Sequence, residues 1–296
     1  MTDWSNSSDL YRIASGASDG NYNWTEVLMK NIPKNLFEAV ALHSYSVIDW
    51  GNKGSATDFS DLQYFQTMQR AHKMEEYITK HTAIMDNYDP ENTIDLIVDE
   101  WGGWYDVEPG TNPGFLYQQN TMRDAMIAGM TLNIFNNHAE RVKMANLAQT
   151  VNVLQAVILT EGEKLILTPT YHVLKMYAIH QDAQLIPVNF DPPYFKKMGE
   201  SLPAISISAS KDQNDQISIS LVNIDDSKAH EVSLDVSKLG VAAFEGSILV
   251  SNALQDYNDF DNPGVISPKP LKKVKVKNGM ATLQLPPFSV VVIKGN

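Results

Sequence analysis

The stretch Leu96-Ile97-Val98-Asp99-Glu100-Trp101-Gly102-Gly103-Trp104-Tyr105 runs from an apolar segment straight into two acids and three aromatics. Short apolar runs bounded by turn residues read as buried strands, and a buried strand that ends in carboxylates marks the place where a parallel sheet meets solvent. The fold therefore depends on whether neighbouring segments repeat this strand-then-helix pattern.

They do. Leu10 to Gly16 forms a first apolar run, followed by a helix from Trp24 to Asn31 that stops at Pro33. Phe37 to Tyr45 forms the second. A long loop then leads to Ser60 and a helix in which Leu62, Phe65, Met68, Ala71, Ile78 and Met85 share one face. The opening stretch is the third run, and a helix is expected from Gln118 to Gly129. Met130 to Phe135 is the fourth expected strand, leading through Asn136-Asn137-His138 into a helix with Leu147, Val151, Leu154 and Ile158 as its stripe. Gly162 reads as its C-cap.

Beyond Thr168-Pro169, which open one more short helix, the period changes to two. Ile205, Ile207 and Ala209; Ile217, Ile219 and Leu221; Val232, Leu234 and Val236; and Val274 and Val276 alternate with polar neighbours, with an expected Asn278-Gly279 turn before Leu283 and Leu285. The expected architecture is α/β plus all-β: four β/α units over residues 1–162, followed by an antiparallel β-sandwich over 163–296. Four units make half of a (β/α)8 barrel.

The 296 residues carry 35 acids against 23 bases, a net charge of −12, and the one basic run, Leu271 to Lys277, alternates with apolar residues like the solvent face of a strand. A nucleic-acid footprint is not expected. No apolar run approaches the roughly 20 residues of a membrane span, and MTDWSNSSDL has neither the basic region nor the apolar core of a signal peptide. Cysteine is absent, which removes thiolate nucleophiles and cysteine metal sites but leaves localisation open between bacterial cytoplasm, periplasm and secretion. His72 and His81 are nine apart, no H-E-x-x-H occurs, and the glycine-rich and G-x-S-x-G motifs of nucleotide binding and serine hydrolysis are missing. Neither a metal nor a cofactor is expected.

Catalytic groups of parallel β/α folds sit at the carboxyl ends of the strands. The residues there are Ser15 and Asp19; His43, Tyr45 and Asp49; Asp99, Glu100 and Trp101; and Asn133, Asn136, Asn137 and His138. If Leu96 and Val98 face the interior, alternation places Glu100 on the active face and turns Asp99 away. A carboxylate beside Trp101 and Trp104 suits sugar chemistry, since indole faces pack on sugars and a carboxylate can attack an anomeric carbon. The competing reading is a strand-end acid paired with Arg123 or Arg141. His43 and Tyr45 share a side of their strand and can donate to Glu100 or to a ligand hydroxyl.

These residues resemble the C-terminal part of the family-51 glycoside hydrolases, the α-L-arabinofuranosidases. The likeness rests on IASG followed by NYNWTEVLMK, on ALHSYS, LIVDEWGGWY, LNIFNNHAERVKMANLAQTVNVLQAVILTEG and LTPTYHVLKMYAIHQ, and on the closing LPPFSVVVI. It implies a retaining enzyme acting on arabinofuranosyl-containing oligo- or polysaccharides, built from a (β/α)8 barrel and a β-sandwich, with the four units here as strands five to eight. The D-E-W motif falls on Glu100 as nucleophile, and L-H-x-Y falls on His43 and Tyr45. The glutamine of M-A-N-x-A-Q falls on Gln149 as a contact to arabinose hydroxyls, and Trp104 matches an aromatic on the leaving-group side. The family's acid/base glutamate sits in a G-N-E motif, and that string does not occur here. Glu26, Glu161 and Glu163 are not placed about 5 to 5.5 Å from Glu100 as retention requires, which leaves Asp19 and Asp49 as internal substitutes. The sequence alone is thus expected to be a nearly inactive fragment that self-associates through its open sheet edges. Two alternatives remain, a structural fragment and a carbohydrate-binding sandwich.

Overall fold

The computed structural model describes residues 10–295; the signal-peptide reading of the first nine residues lies outside them. The first half contains β1 (Ile13–Ser18), α1 (Tyr22–Asn31), β2 (Ala39–Ser46), α2 (Asp61–Tyr88), β3 (Asp95–Gly103), α3 (Met122–Asn137) and β4 (Val142–Leu147). The four strands are all parallel, in the order β1-β2-β3-β4. Helix α2 starts as its sequence dictates. Ser60 accepts from the Gln63 amide at 3.3 Å while Gln63 Oε1 accepts from the Ser60 amide at 2.9 Å, a reciprocal cap that satisfies two orphan donors.

The fourth unit corrects the sequence reading. Met130 to Phe135 is not a strand but the second half of α3, and β4 is Val142–Leu147. Helix α3 is buried on nearly every side from Met122 to Phe135, so it shows no amphipathic stripe, and periodicity cannot tell such a segment from a buried strand. Its start was encoded all the same: Thr121 and Asp124 form a second reciprocal cap. The expected helix through Leu147, Val151, Leu154 and Ile158 is likewise absent. Leu147 ends β4, Val151 bridges to Ile158, and Ile158 opens the hairpin of β5 (Ile158–Glu161) and β6 (Lys164–Leu167). Gly162, at φ +58, makes the tight turn of that hairpin rather than a helix cap.

Helix α4 (Pro169–Tyr177) follows, capped by Thr168 as expected. Then come β7 (Gln184–Ile186), β8 (Tyr194–Lys197), β9 (Glu200–Pro203), β10 (Ile205–Lys211), β11 (Ile217–Asn223), β12 (His230–Asp235), β13 (Ala243–Leu249), β14 (Lys269–Lys277), β15 (Met280–Leu285) and β16 (Ser289–Gly295). Except for the β8–β9 hairpin, they form one antiparallel sheet in the order β12-β15-β14-β13-β16-β11-β10-β7. Asn278 and Gly279, both at positive φ, turn β14 into β15. The sheet curls around a single core in which Ile207, Ile219, Leu221 and Ile293 meet Leu283 and Leu285 from its far edge.

The outer face of that sheet carries serines and packs against α3. Asn133 contacts Ser206 at 3.2 Å and Ser208 at 2.8 Å, Asn136 donates to Ser208 at 3.0 Å, and Asn137 donates to the Ile207 carbonyl at 2.9 Å. These asparagines join the helix to the sheet, and His138 lies 2.7 Å from Glu75. The sequence pattern places all four at a strand end. They sit instead in the last turns of α3 and just after it, ahead of β4, and so at the end of the sheet opposite the strand carboxyl ends.

Candidate active site

Two neighbouring strands and one irregularity build the site. Ala41 pairs with Ile97 and His43 with Glu100, so β3 carries one residue more than β2 over this step. The same excess appears against β4, where Val98 pairs with Ala145 and Trp101 with Leu147. A bulge of this kind resets the alternation of side chains. Leu96, Val98 and Trp101 pack with the helices in the core, whereas both Asp99 and Glu100 reach the His43 side. Strict alternation presents Glu100 to the active face only if Leu96 and Val98 face the interior. Those two residues face the helices, and the bulge is what brings Glu100 round.

His43 sits between the two acids. Its Nε2 lies 2.9 Å from Asp99 Oδ1 and its Nδ1 lies 3.7 Å from Glu100 Oε2. Tyr45 donates its hydroxyl proton to Glu100 Oε2 at 2.9 Å. Burial, and then the hydrogen bond to the Glu100 carboxylate, push the Tyr45 hydroxyl well above its ordinary pKa, so it remains a protonated donor. Glu100 itself is about half open to solvent, at 47% side-chain exposure.

Aromatic rings form one wall. Trp104 stands edge to face against Tyr45 with centroids 5.0 Å apart and against Trp50 at 5.5 Å. Trp50 is 54% exposed; its only sequence signal was a tryptophan in the loop directly after a strand end. Beside it a cleft of about 450 Å3 is lined by Asp19, Tyr45, Asp49, Trp50, Arg70 and Tyr77.

The structure does not bring every expected residue to this cleft. Trp101 is 1% exposed and packs edge-on against Phe135, because the bulge that turns Glu100 outward turns Trp101 inward. Gln149 is exposed just beyond β4, where the Ala148 amide donates to the Trp101 carbonyl at 3.1 Å, which sets it beside the β3 end. Asp99, set aside by alternation, belongs to the cluster.

Neither arginine pairs with Glu100. The Arg123 guanidinium lies between the rings of Phe59 and Tyr105 at 3.8 and 3.7 Å and donates to the Ser55 and Ala56 carbonyls. Arg141 binds Asp89 and the Ile94 carbonyl at the opposite end of the sheet. Among the internal acids considered as replacements, Asp19 accepts from Ser44 at 2.7 Å, Asp49 holds the Gly51 amide at 2.8 Å, and Glu26 accepts from the Tyr88 hydroxyl.

Close backbone contact sets the sheet here. At Gly16 a Cβ would lie 1.5 Å from the Ala41 carbonyl oxygen, so only glycine fits where β1 bulges against β2.

Fold and site together define a parallel β/α unit joined to an antiparallel β domain, with a carboxylate pair and aromatics at the carboxyl ends of the strands. Residues 99–289 match the family described as the α-L-arabinofuranosidase C-terminal domain. An intracellular exo-α-L-arabinofuranosidase of Bacteroides ovatus is 43% identical over 287 residues, covering 96% of this chain and 56% of that protein. The crystal structure of the GH51 arabinofuranosidase from Xanthomonas axonopodis pv. citri superposes with a TM-score of 0.95 at 42% identity, over 99% of this chain and 59% of that one. A family 51 enzyme from Bifidobacterium longum shares the fold at 24% identity, with a TM-score of 0.82 over 96% of this chain and 58% of its own. The chain belongs to the α-L-arabinofuranosidase family. It spans between half and two thirds of the length of these relatives.

Proposed function

We propose that this chain carries the nucleophile side of a retaining α-L-arabinofuranosidase site, with Glu100 as the nucleophile. The observation that carries the reading is the hydrogen bond from Tyr45 to Glu100 Oε2 at 2.9 Å, with His43 beside the same carboxylate. Tyr45 occupies one carboxylate oxygen and leaves Glu100 Oε1 for attack on the anomeric carbon of a terminal arabinofuranoside. The bond to the leaving-group oxygen breaks as the glycosyl ester forms. Water then cleaves the ester and regenerates the carboxylate, with retention. His43 and Gln149 are assigned to the sugar hydroxyls, and Trp104 with Trp50 to the leaving group. The four parallel strands are read as strands five to eight of a (β/α)8 barrel, with the boundary to the β domain near residue 162.

The departing oxygen needs a proton; Asp19 and Asp49 line the neighbouring cleft but are held by Ser44 and by the Gly51 amide, and the general acid is assigned to a residue outside these 296. Loss of general acid help typically costs 10²- to 10⁴-fold. The purified chain is therefore expected to cleave an unactivated arabino-oligosaccharide at least about 100-fold more slowly than a full-length relative. Comparable rates that vanish in Glu100→Gln would keep the nucleophile and refute the missing acid. Comparable rates that persist in Glu100→Gln would refute both.

A further inference from the structure

Away from Glu100, two loops that leave the carboxyl ends of β3 and β4 meet a loop of the antiparallel domain around a second pocket of about 290 Å3. Phe115 and Tyr117 come from the β3–α3 connection, Asn152 and Glu161 from the segment after β4, and Phe260 from the loop between β13 and β14. Its floor is Leu159, which is 1% exposed and forms a small separate core with Ala156 and Ile166. Tyr117 and Phe260 pack on that core, so both rings are held in place before any ligand arrives. Phe115 is 67% exposed at the rim. A phenylalanine that open needs no folding role, and a cluster of three aromatics around a concave site is a binding feature.

We propose that this pocket is a distal subsite for one sugar ring of a neutral glycan, separate from the Glu100 cleft but on the same end of the parallel sheet. Three observations select the occupant. Aromatic faces pack on the apolar faces of sugar rings. Asn152 is already fixed by donating to the Thr160 carbonyl at 3.1 Å and accepting from the Thr160 amide at 2.8 Å, so the pocket's shape is set by the protein. The charge at the rim is Glu161, in a chain of net charge −12; its carboxylate accepts from hydroxyls and repels uronates and phosphates. The inference rests on the glycosidase reading for its choice of a glycan. It adds a contact made by the antiparallel domain, which gives that domain a part in holding the polymer.

The test is calorimetric titration of the whole chain with a linear arabino-oligosaccharide and with a xylo-oligosaccharide, each of about five residues, with oligogalacturonate as the charged comparison. Saturable binding of at least one neutral oligosaccharide is expected, weakened about tenfold in Phe115→Ala and in Phe260→Ala. Phe115 is open enough that its truncation leaves the fold intact, which far-ultraviolet circular dichroism checks. Glu161→Gln should weaken the neutral ligand several-fold. The proposal is overturned if neither neutral oligosaccharide binds, if binding survives both phenylalanine changes, or if oligogalacturonate binds at least as tightly. Binding lost in Glu100→Gln but kept in both phenylalanine variants would place the sugar in the Glu100 cleft, overturning this subsite and leaving the proposed function standing.

Discussion

Tyr45 and Glu100, 55 residues apart in sequence, meet across the β2–β3 pair with the tyrosine hydroxyl 2.9 Å from Glu100 Oε2. The contact exists because β3 carries an extra residue between Val98 and Trp101. Tyr45→Phe removes the donor and leaves the ring edge to face against Trp104. With an aryl arabinofuranoside whose leaving group needs little protonation, the turnover of the chain is expected to fall about 10- to 100-fold, an effect on kcat more than on KM. Equal kcat for the two proteins would remove Tyr45 from the chemistry.

Asp89 is buried where α2 ends, at the foot of the sheet. It accepts from Thr93 at 2.6 Å, from the Ile94 amide at 2.7 Å and from Arg141 at 2.9 Å, with Lys34 at 3.4 Å. Burial alone would raise its pKa, but these donors outweigh burial and hold it at about 2, below the ordinary 3.8. A depressed folded-state pKa means stability that is complete above the ordinary value and is lost as pH falls from about 4 toward 2. The wild-type urea midpoint is expected to drop through that window. Asp89→Asn should show a flatter dependence there and be about 3 kcal/mol less stable at neutral pH, because Arg141 loses its buried partner. Identical pH profiles would assign the acid sensitivity to other groups.

Most of the first three β/α units was legible because their helices are amphipathic and their strands end in polar residues. The fourth was not. Helix α3 lies between the parallel sheet and the antiparallel domain, so it is buried on nearly every side and its apolar Met130 to Phe135 half imitates a strand, while edge strand β4, reading Val-Lys-Met-Ala-Asn-Leu, lacks an apolar run. At the site, residue types single out His43, Tyr45 and Glu100, which the structure brings into contact. The facing of Glu100 and Trp101 depends on a bulge whose register is set by two neighbouring strands, and strict alternation continued from Leu96 and Val98, which face the helices, inverts both. Trp50 had no partner within its own segment to mark it.

The cap on α2 is local and independent of the site. Ser60→Ala removes the side-chain acceptor of the Gln63 amide, at a cost of about 1 kcal/mol. Urea unfolding should show this loss with an unchanged slope, and aryl-glycoside turnover should not change. A loss below about 0.3 kcal/mol would mean that water replaces the hydroxyl at the cap.

The order β1-β2-β3-β4 leaves β1 and β4 as the two edges of a fully parallel sheet. Parallel sheets are stable when covered on both faces, and an open edge presents unpaired amides and carbonyls to any matching strand. Met144 of β4 is 45% exposed, which adds apolar surface next to that edge. The chain is therefore expected to self-associate, with light scattering at micromolar concentration giving a mass of at least two chains. Placing a charge on the edge by Met144→Lys should shift the population toward the monomer without lowering the urea midpoint of the isolated chain. A monomeric wild type at that concentration would show that the edges are protected within a single chain.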